Sequence, residues 1–147
     1  MKKLFAMLIS ATIALALCVP SQVVAASTMT LTAQLRGSNE VSKPGPRSAR
    51  GTATIRVTMS TGRLCYSLRV SGFKLPAIAA HIHAGRAGKE GPIVVPFPTA
   101  PGMSGRASGC VSVRASLLKA ITGHPSSYYV NVHTAAYPGG VVRGQLM

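Results

Sequence analysis

Apolar and polar positions alternate with a period of two through most of the chain beyond residue 27. In "TATIRVTM", Ala53, Ile55, Val57 and Met59 fall on one face and Thr52, Thr54, Arg56 and Thr58 on the other. That is the pattern of a half-buried strand. "STG" (Ser60 to Gly62) is a turn, after which "RLCYSLRV" puts Leu64, Tyr66, Leu68 and Val70 on one face. The two segments predict a hairpin. Shorter strands are predicted at Leu31 to Leu35, Ala79 to His83, Pro92 to Phe97, Cys110 to Val113, Tyr128 to Thr134 and Val141 to Leu146. Gly- and Pro-rich connections such as "KPGPRSAR", "AGRAGKEGP" and "PTAPGMSGRASG" separate them. Only "RASLLKAITG" reads as a helix, with Leu117, Leu118 and Ile121 on one side and Gly123 as its stop. About eight short strands and one helix predict an all-β fold, an antiparallel β-sandwich of one domain. Cys65 falls out of phase with Leu64 and Tyr66, which places it on an outer face or a sheet edge.

The first 26 residues follow another pattern. Lys2 and Lys3 precede an apolar run from Leu4 to Val19, and the small residues of "VVAAS" follow it. This is the layout of a secretory signal peptide over residues 1–26, cleaved after Ala25 or Ala26. The run is short for a membrane span of about 20 residues. Cys18 raises lipidation as an alternative, against which stands the bulky Leu17 just before it. A domain over residues 27–147 remains, expected in the periplasm or outside the cell.

Removing the leader leaves 14 basic side chains against 2 acidic ones, a net charge of +12. Glu40 and Glu90 are the only carboxylate side chains, and the chain has no Asp. Two cysteines remain, Cys65 and Cys110. In an oxidising compartment such a pair reads as one disulfide, the alternative being two free thiols.

Four blocks stand in order: "GRLCYSLRVSGF", "AAHIHAGRAGKEGPIVVPF", "SGC" and "YYVNVHTAAYPGGVVRGQL". Together they resemble the CHRD domain, a module named after the animal protein chordin and found in many secreted bacterial proteins. The resemblance covers roughly Met29 to Met147. It implies an extracytoplasmic β-sandwich of immunoglobulin-like or copper/zinc superoxide dismutase-like build, and it supplies no reaction. The dismutase carries a comparable His-x-His on its copper-binding strand, an analogy of fold, which does not fix function.

His81 and His83 sit at i and i+2 of one predicted strand, so both rings leave it on the same side. His133, at the end of "YYVNVH", is the third candidate, because the resemblance makes that strand a partner of the His-x-His strand. Three imidazoles suit copper(II) or zinc(II) and leave a fourth position open. Against a metal stand Arg86, the positive net charge and the want of a carboxylate to orient a ring; backbone carbonyls, water or Asn131 would have to do so. The alternative is that the histidines bond carbonyls and order the "AGRAGKEGP" loop. His124, beside Pro125, reads as a loop residue. A true dismutase centre needs six histidines and an aspartate, whereas this chain has four histidines and no aspartate.

Other chemistries fall away by residue type. A Ser–His–Asp triad lacks its Asp, and no G-x-S-x-G elbow is present. Glu40 and Glu90 lie in loop-like, solvated stretches and make a poor glycosidase pair. "GRAGKEG" lacks the phosphate-loop spacing. The chain therefore reads as a binding module rather than an enzyme, its partner an unidentified protein or an anionic cell-surface ligand. Its basic residues are spread along the chain, densest at Lys43, Arg47 and Arg50. With six Phe and Tyr and no Trp after the leader, nucleic acid is not expected as a partner. The second reading is a mononuclear copper or zinc protein built on His81, His83 and His133.

Overall fold

A computed structural model describes residues 27–147. The expected signal peptide at 1–26 lies outside the described residues. Eight strands form: β1 (Thr28–Arg36), β2 (Arg50–Thr58), β3 (Arg63–Ser71), β4 (Ala79–Ala84), β5 (Ile93–Pro96), β6 (Arg106–Ser112), β7 (Tyr128–Thr134) and β8 (Tyr137–Gln145). One helix, α1 (Ala115–Gly123), separates β6 from β7. The strands predicted from alternation all appear, most of them longer at one or both ends. Met59 departs from its predicted place: the chain turns at Met59–Thr61, so its side chain is exposed instead of facing the core.

All eight strands join one antiparallel sheet in the order β5-β4-β7-β8-β1-β2-β3-β6. The sheet curls into a half-barrel, and its two halves face each other as the two layers of the all-β fold. The two halves join at the β1–β8 seam, where Arg36 stands opposite Arg143. Gly144 sits at this seam, and a Cβ there would meet the backbone carbonyl of Gln34. The missing side chain is what lets the two strands approach so closely. Midway along β1, Thr32 and Met147 continue the same register and exchange backbone hydrogen bonds of 3.0 and 2.9 Å.

The inward positions make a single core. Leu31, Ile55, Leu64, Leu68, Ile82, Val130 and Val142 are buried, and α1 adds Leu118 and Ile121. Tyr66 of β3 stacks on Phe97 just beyond β5, with centroids 4.1 Å apart, so the two halves of the sheet touch across the core. The Tyr66 hydroxyl donates to the Thr99 carbonyl and accepts from the Thr99 amide. "PIVVPFP" is accordingly an edge strand whose inner side chains, Val95 and Phe97, belong to the core.

Cys65 and Cys110 form a disulfide. They stand directly opposite each other in the β3–β6 register. Cys110 is exposed and Cys65 half-buried, as the out-of-phase position of Cys65 requires. The bond fastens the edge strand β6, which pairs with β3 alone. Among the described residues, no helix is long and apolar enough to cross a membrane.

Candidate metal centre

Alternation along β4 sends Ala80 and Ile82 into the core and His81 and His83 to the opposite face. On β7, Val130 and Val132 point inward, leaving Tyr129, Asn131 and His133 outward. The two strands pair with His81 opposite Asn131, His83 opposite Tyr129 and Ala79 opposite His133. Small Ala79 leaves the space into which the rings of His133 and His81 lean together, diagonally across the pair. Ring centroids lie 5.0 Å apart for His81 and His133, 5.6 Å for His81 and His83, and 6.0 Å for His83 and His133. One ligand atom from each of the three lies within 4.8 Å of the other two.

This outer face is covered. Residues 37–46 and the "AGRAGKEGP" loop close over β4, β7 and β8 and bury Tyr129, Asn131, His133 and Arg143 on the side that simple alternation assigns to solvent. Ser42 of one segment donates to the carboxylate of Glu90 in the other. Gln145 Nε2 donates to the carbonyls of Gly85 and Ser126 at 2.9 and 2.8 Å, anchoring the base of the loop.

The cover also sets the tautomers. His83 Nδ1 is 2.9 Å from the Gly91 carbonyl, and His133 Nδ1 is 2.9 Å from the Pro138 carbonyl. A carbonyl only accepts, so each Nδ1 carries the proton and each Nε2 is unprotonated and can only accept. His133 Nε2 faces His81 Nδ1 at 3.2 Å. His83 Nε2 is buried and has no hydrogen-bond partner among the described residues. Gly91 also donates its N–H to the Tyr129 hydroxyl at 3.3 Å. A Cβ at Gly91 would strike the Ala84 carbonyl, so only glycine brings the loop backbone close enough to hold His83.

A stack continues behind His83. Tyr129 lies parallel to the His83 ring, with centroids 4.8 Å apart, and the Arg143 guanidinium sits 3.6 Å from the centroid of the tyrosine ring. Arg143 is only 2% exposed, held by this cation–π contact and a 2.7 Å bond to the Lys89 carbonyl. Sequence reasoning misses it and takes Arg86 as the nearby cation; Arg86 lies on the loop, outside the stack. The available signal is the Asn131 block itself, since Arg143 pairs with Asn131 in register and must share its face.

Glu40 also departs from expectation. It is buried at 8% exposure rather than solvated. Burial pushes its carboxyl up to about 7, against the opposing pull of Arg143 and a hydrogen bond from Asn131. Glu90 is exposed as expected, and so is His124, which caps the end of α1 away from the three-histidine cluster.

All three clustered imidazoles have lowered pKa values. Burial is the largest cause in each; His81 falls to about 4, with His133 and His83 adding to the effect. His83 and His133 also fall, although their carbonyl partners pull the other way. Below the ordinary value of 6.5 the unfolded chain therefore takes up protons that the folded chain refuses, and stability drops as pH falls toward about 4. Glu40 acts oppositely: its raised value favours the folded state at low pH, a contribution lost as pH rises from 4.5 through about 7. One carboxyl opposes three imidazoles. The melting temperature of metal-free protein in a chelator is thus expected to fall between pH 6.5 and 4.5, and a rise over that window would contradict the burial of the rings.

An all-β domain with a histidine cluster on the outer face of a curled sheet, under two loops, is the class this architecture defines. The chain belongs to the CHRD domain family, whose model matches residues 31–146. No match was found among curated proteins or among solved structures.

Proposed function

We propose that this CHRD domain is an exported binding module that holds one copper(II) or zinc(II) ion through His81 Nδ1, His83 Nε2 and His133 Nε2. The observation that carries the reading is the buried, unpartnered lone pair of His83 Nε2 beside His133, whose Nδ1 is tied to the Pro138 carbonyl, and His81, whose Nδ1 faces His133 Nε2. A buried polar atom without a partner costs about 1–3 kcal/mol. A cation placed between the three nitrogens would partner His83 Nε2 and replace the His81–His133 hydrogen bond, the His81 proton moving to its Nε2.

The donor set fits the ion. Three imidazoles with depressed pKa values favour the neutral form that a ligand nitrogen requires. The Gly91 and Pro138 carbonyls orient His83 and His133, the support that ligating histidines ordinarily receive. Half-buried His81 leaves the cluster open on one side, where a fourth ligand can enter. The domain acts by binding, and the ion contributes Lewis acidity or, if copper, a redox couple. Arg143, a permanent charge behind Tyr129, works against a dication here.

Titrating the mature protein with copper(II) and with zinc(II), beside a His81→Ala/His83→Ala variant, tests the reading. One equivalent bound at about micromolar strength or tighter, absent from the variant, is the expected result. Equal weak binding to both proteins would leave the histidines with the purely structural role of ordering the loop.

A further inference from the structure

The strand register gathers arginines that are scattered along the chain. Arg36 of β1 stands directly opposite Arg50 of β2, and Arg69 of β3 directly opposite Arg106 of β6. All four are exposed. Like charges placed opposite each other in a sheet repel and destabilise it, and this sheet carries two such pairs on adjoining strands. No acid relieves them: the only carboxylate side chains in the chain are Glu40 and Glu90. Glu40 is buried beside Asn131 and Arg143, and Glu90 accepts from Ser42, both at the other half of the sheet.

The four guanidiniums line one groove of about 390 Å³, together with Thr52 and Ser104. The cluster at Lys43, Arg47 and Arg50, which is densest in sequence, is not what the fold assembles; of those three only Arg50 reaches the groove. The strands β1, β2, β3 and β6 are successive neighbours, so the array is about 14 Å wide at a strand spacing of roughly 4.8 Å. That width exceeds what one tetrahedral oxyanion can span and offers seats to two or more in a row. The charged residues lining the groove are all arginine, whose planar fork bonds phosphate oxygens in pairs. No aromatic side chain lines it, so nothing is present on which a nucleic-acid base could stack.

We propose that this groove binds a phosphate-rich linear polyanion, with Arg36, Arg50, Arg69 and Arg106 as its anchors. It lies on the half of the sheet away from His81, His83 and His133, and it does not depend on a metal there. A groove crossed by four arginines suits a chain of phosphates. The same chemistry is offered by free polyphosphate and by a phosphodiester polymer of a cell envelope.

Inorganic polyphosphate and a poly(glycerol phosphate) of similar length, each titrated into the mature protein at low and at physiological salt, distinguish the two sources. Binding that weakens with salt is expected for at least one of them. In Arg69→Gln/Arg106→Gln the affinity falls at least about tenfold. In Arg56→Gln/Arg63→Gln, which removes equal charge from the other ends of β2 and β3, it stays within about twofold. Removing one repelling pair should leave the melting temperature of Arg69→Gln/Arg106→Gln unchanged or raised, which separates lost binding from lost folding. Equal weakening in both variants would reduce the effect to net charge and overturn the site. Tighter binding to polyglutamate, or to phosphatidylglycerol vesicles, than to either phosphate polymer would overturn the ligand class.

Discussion

Removing the disulfide with a Cys65→Ala/Cys110→Ala substitution is expected to lower the stability of the mature domain by about 3–4 kcal/mol. The bond closes a loop of 45 residues, and the expected loss is the loop-closure entropy it withholds from the unfolded chain. The loop contains β4, β5 and parts of β3 and β6, so about a third of the sheet lies inside it. The edge strand β6 has no second neighbour to hold it, and the bond sits on its exposed face in direct register with β3. With a urea slope of about 2 kcal/mol/M, the unfolding midpoint should move down by roughly 1.5–2 M. Because Cys65 faces outward, alanine opens no cavity in the core, and the shift reports the cross-link alone. An unchanged midpoint would mean that the unfolded chain is already held compact without it.

The second large effect is thermal. With free zinc held at about 100 times its dissociation constant, the folded state gains about 2.7 kcal/mol by mass action. For a domain of this size the melting temperature should rise by roughly 8–12 °C. Zinc is the cleaner probe because it has no redox chemistry of its own. The shift should vanish in His133→Ala, which removes the one ligand contributed by β7 while leaving both histidines of β4. That variant also frees the Pro138 carbonyl, so its metal-free melting temperature must be measured as its own baseline. A shift of equal size in His133→Ala would place zinc elsewhere on the protein. The relief of the unpartnered His83 Nε2 and the mutual approach of His81 and His133 give the gain a location, since among the described residues these three imidazoles are the group of candidate ligands that lies together.

Several features are legible in the order of residues alone. The period of two in "TATIRVTM" and "RLCYSLRV" assigns each side chain to a face, and β2 and β3 follow it up to the turn at Met59. The phase of Cys65 against Leu64 and Tyr66 places the disulfide outside the core. The spacing of His81 and His83 puts both rings on one side of β4. These are local properties of a pleated chain, and side-chain direction along a strand needs no knowledge of its neighbours.

The remainder depends on which strand lies beside which, and at what register. His133 is far from His83 along the chain, and only the β4–β7 pairing, with small Ala79 opposite it, brings the rings together. Glu40 reads as a solvated loop residue until the covering segments close over it, and Arg143 reads as an ordinary strand cation until Tyr129 lies beneath it. The tautomers of His83 and His133 are fixed by carbonyls of Gly91 and Pro138, whose positions follow from loop geometry rather than from residue type. The arginine groove is invisible along the chain because Arg36, Arg50, Arg69 and Arg106 come from four strands. Sequence alternation determined the faces. Tertiary structure decided the neighbours, because register between distant strands is set by how the whole apolar surface is buried together, and that is not a property of any one segment.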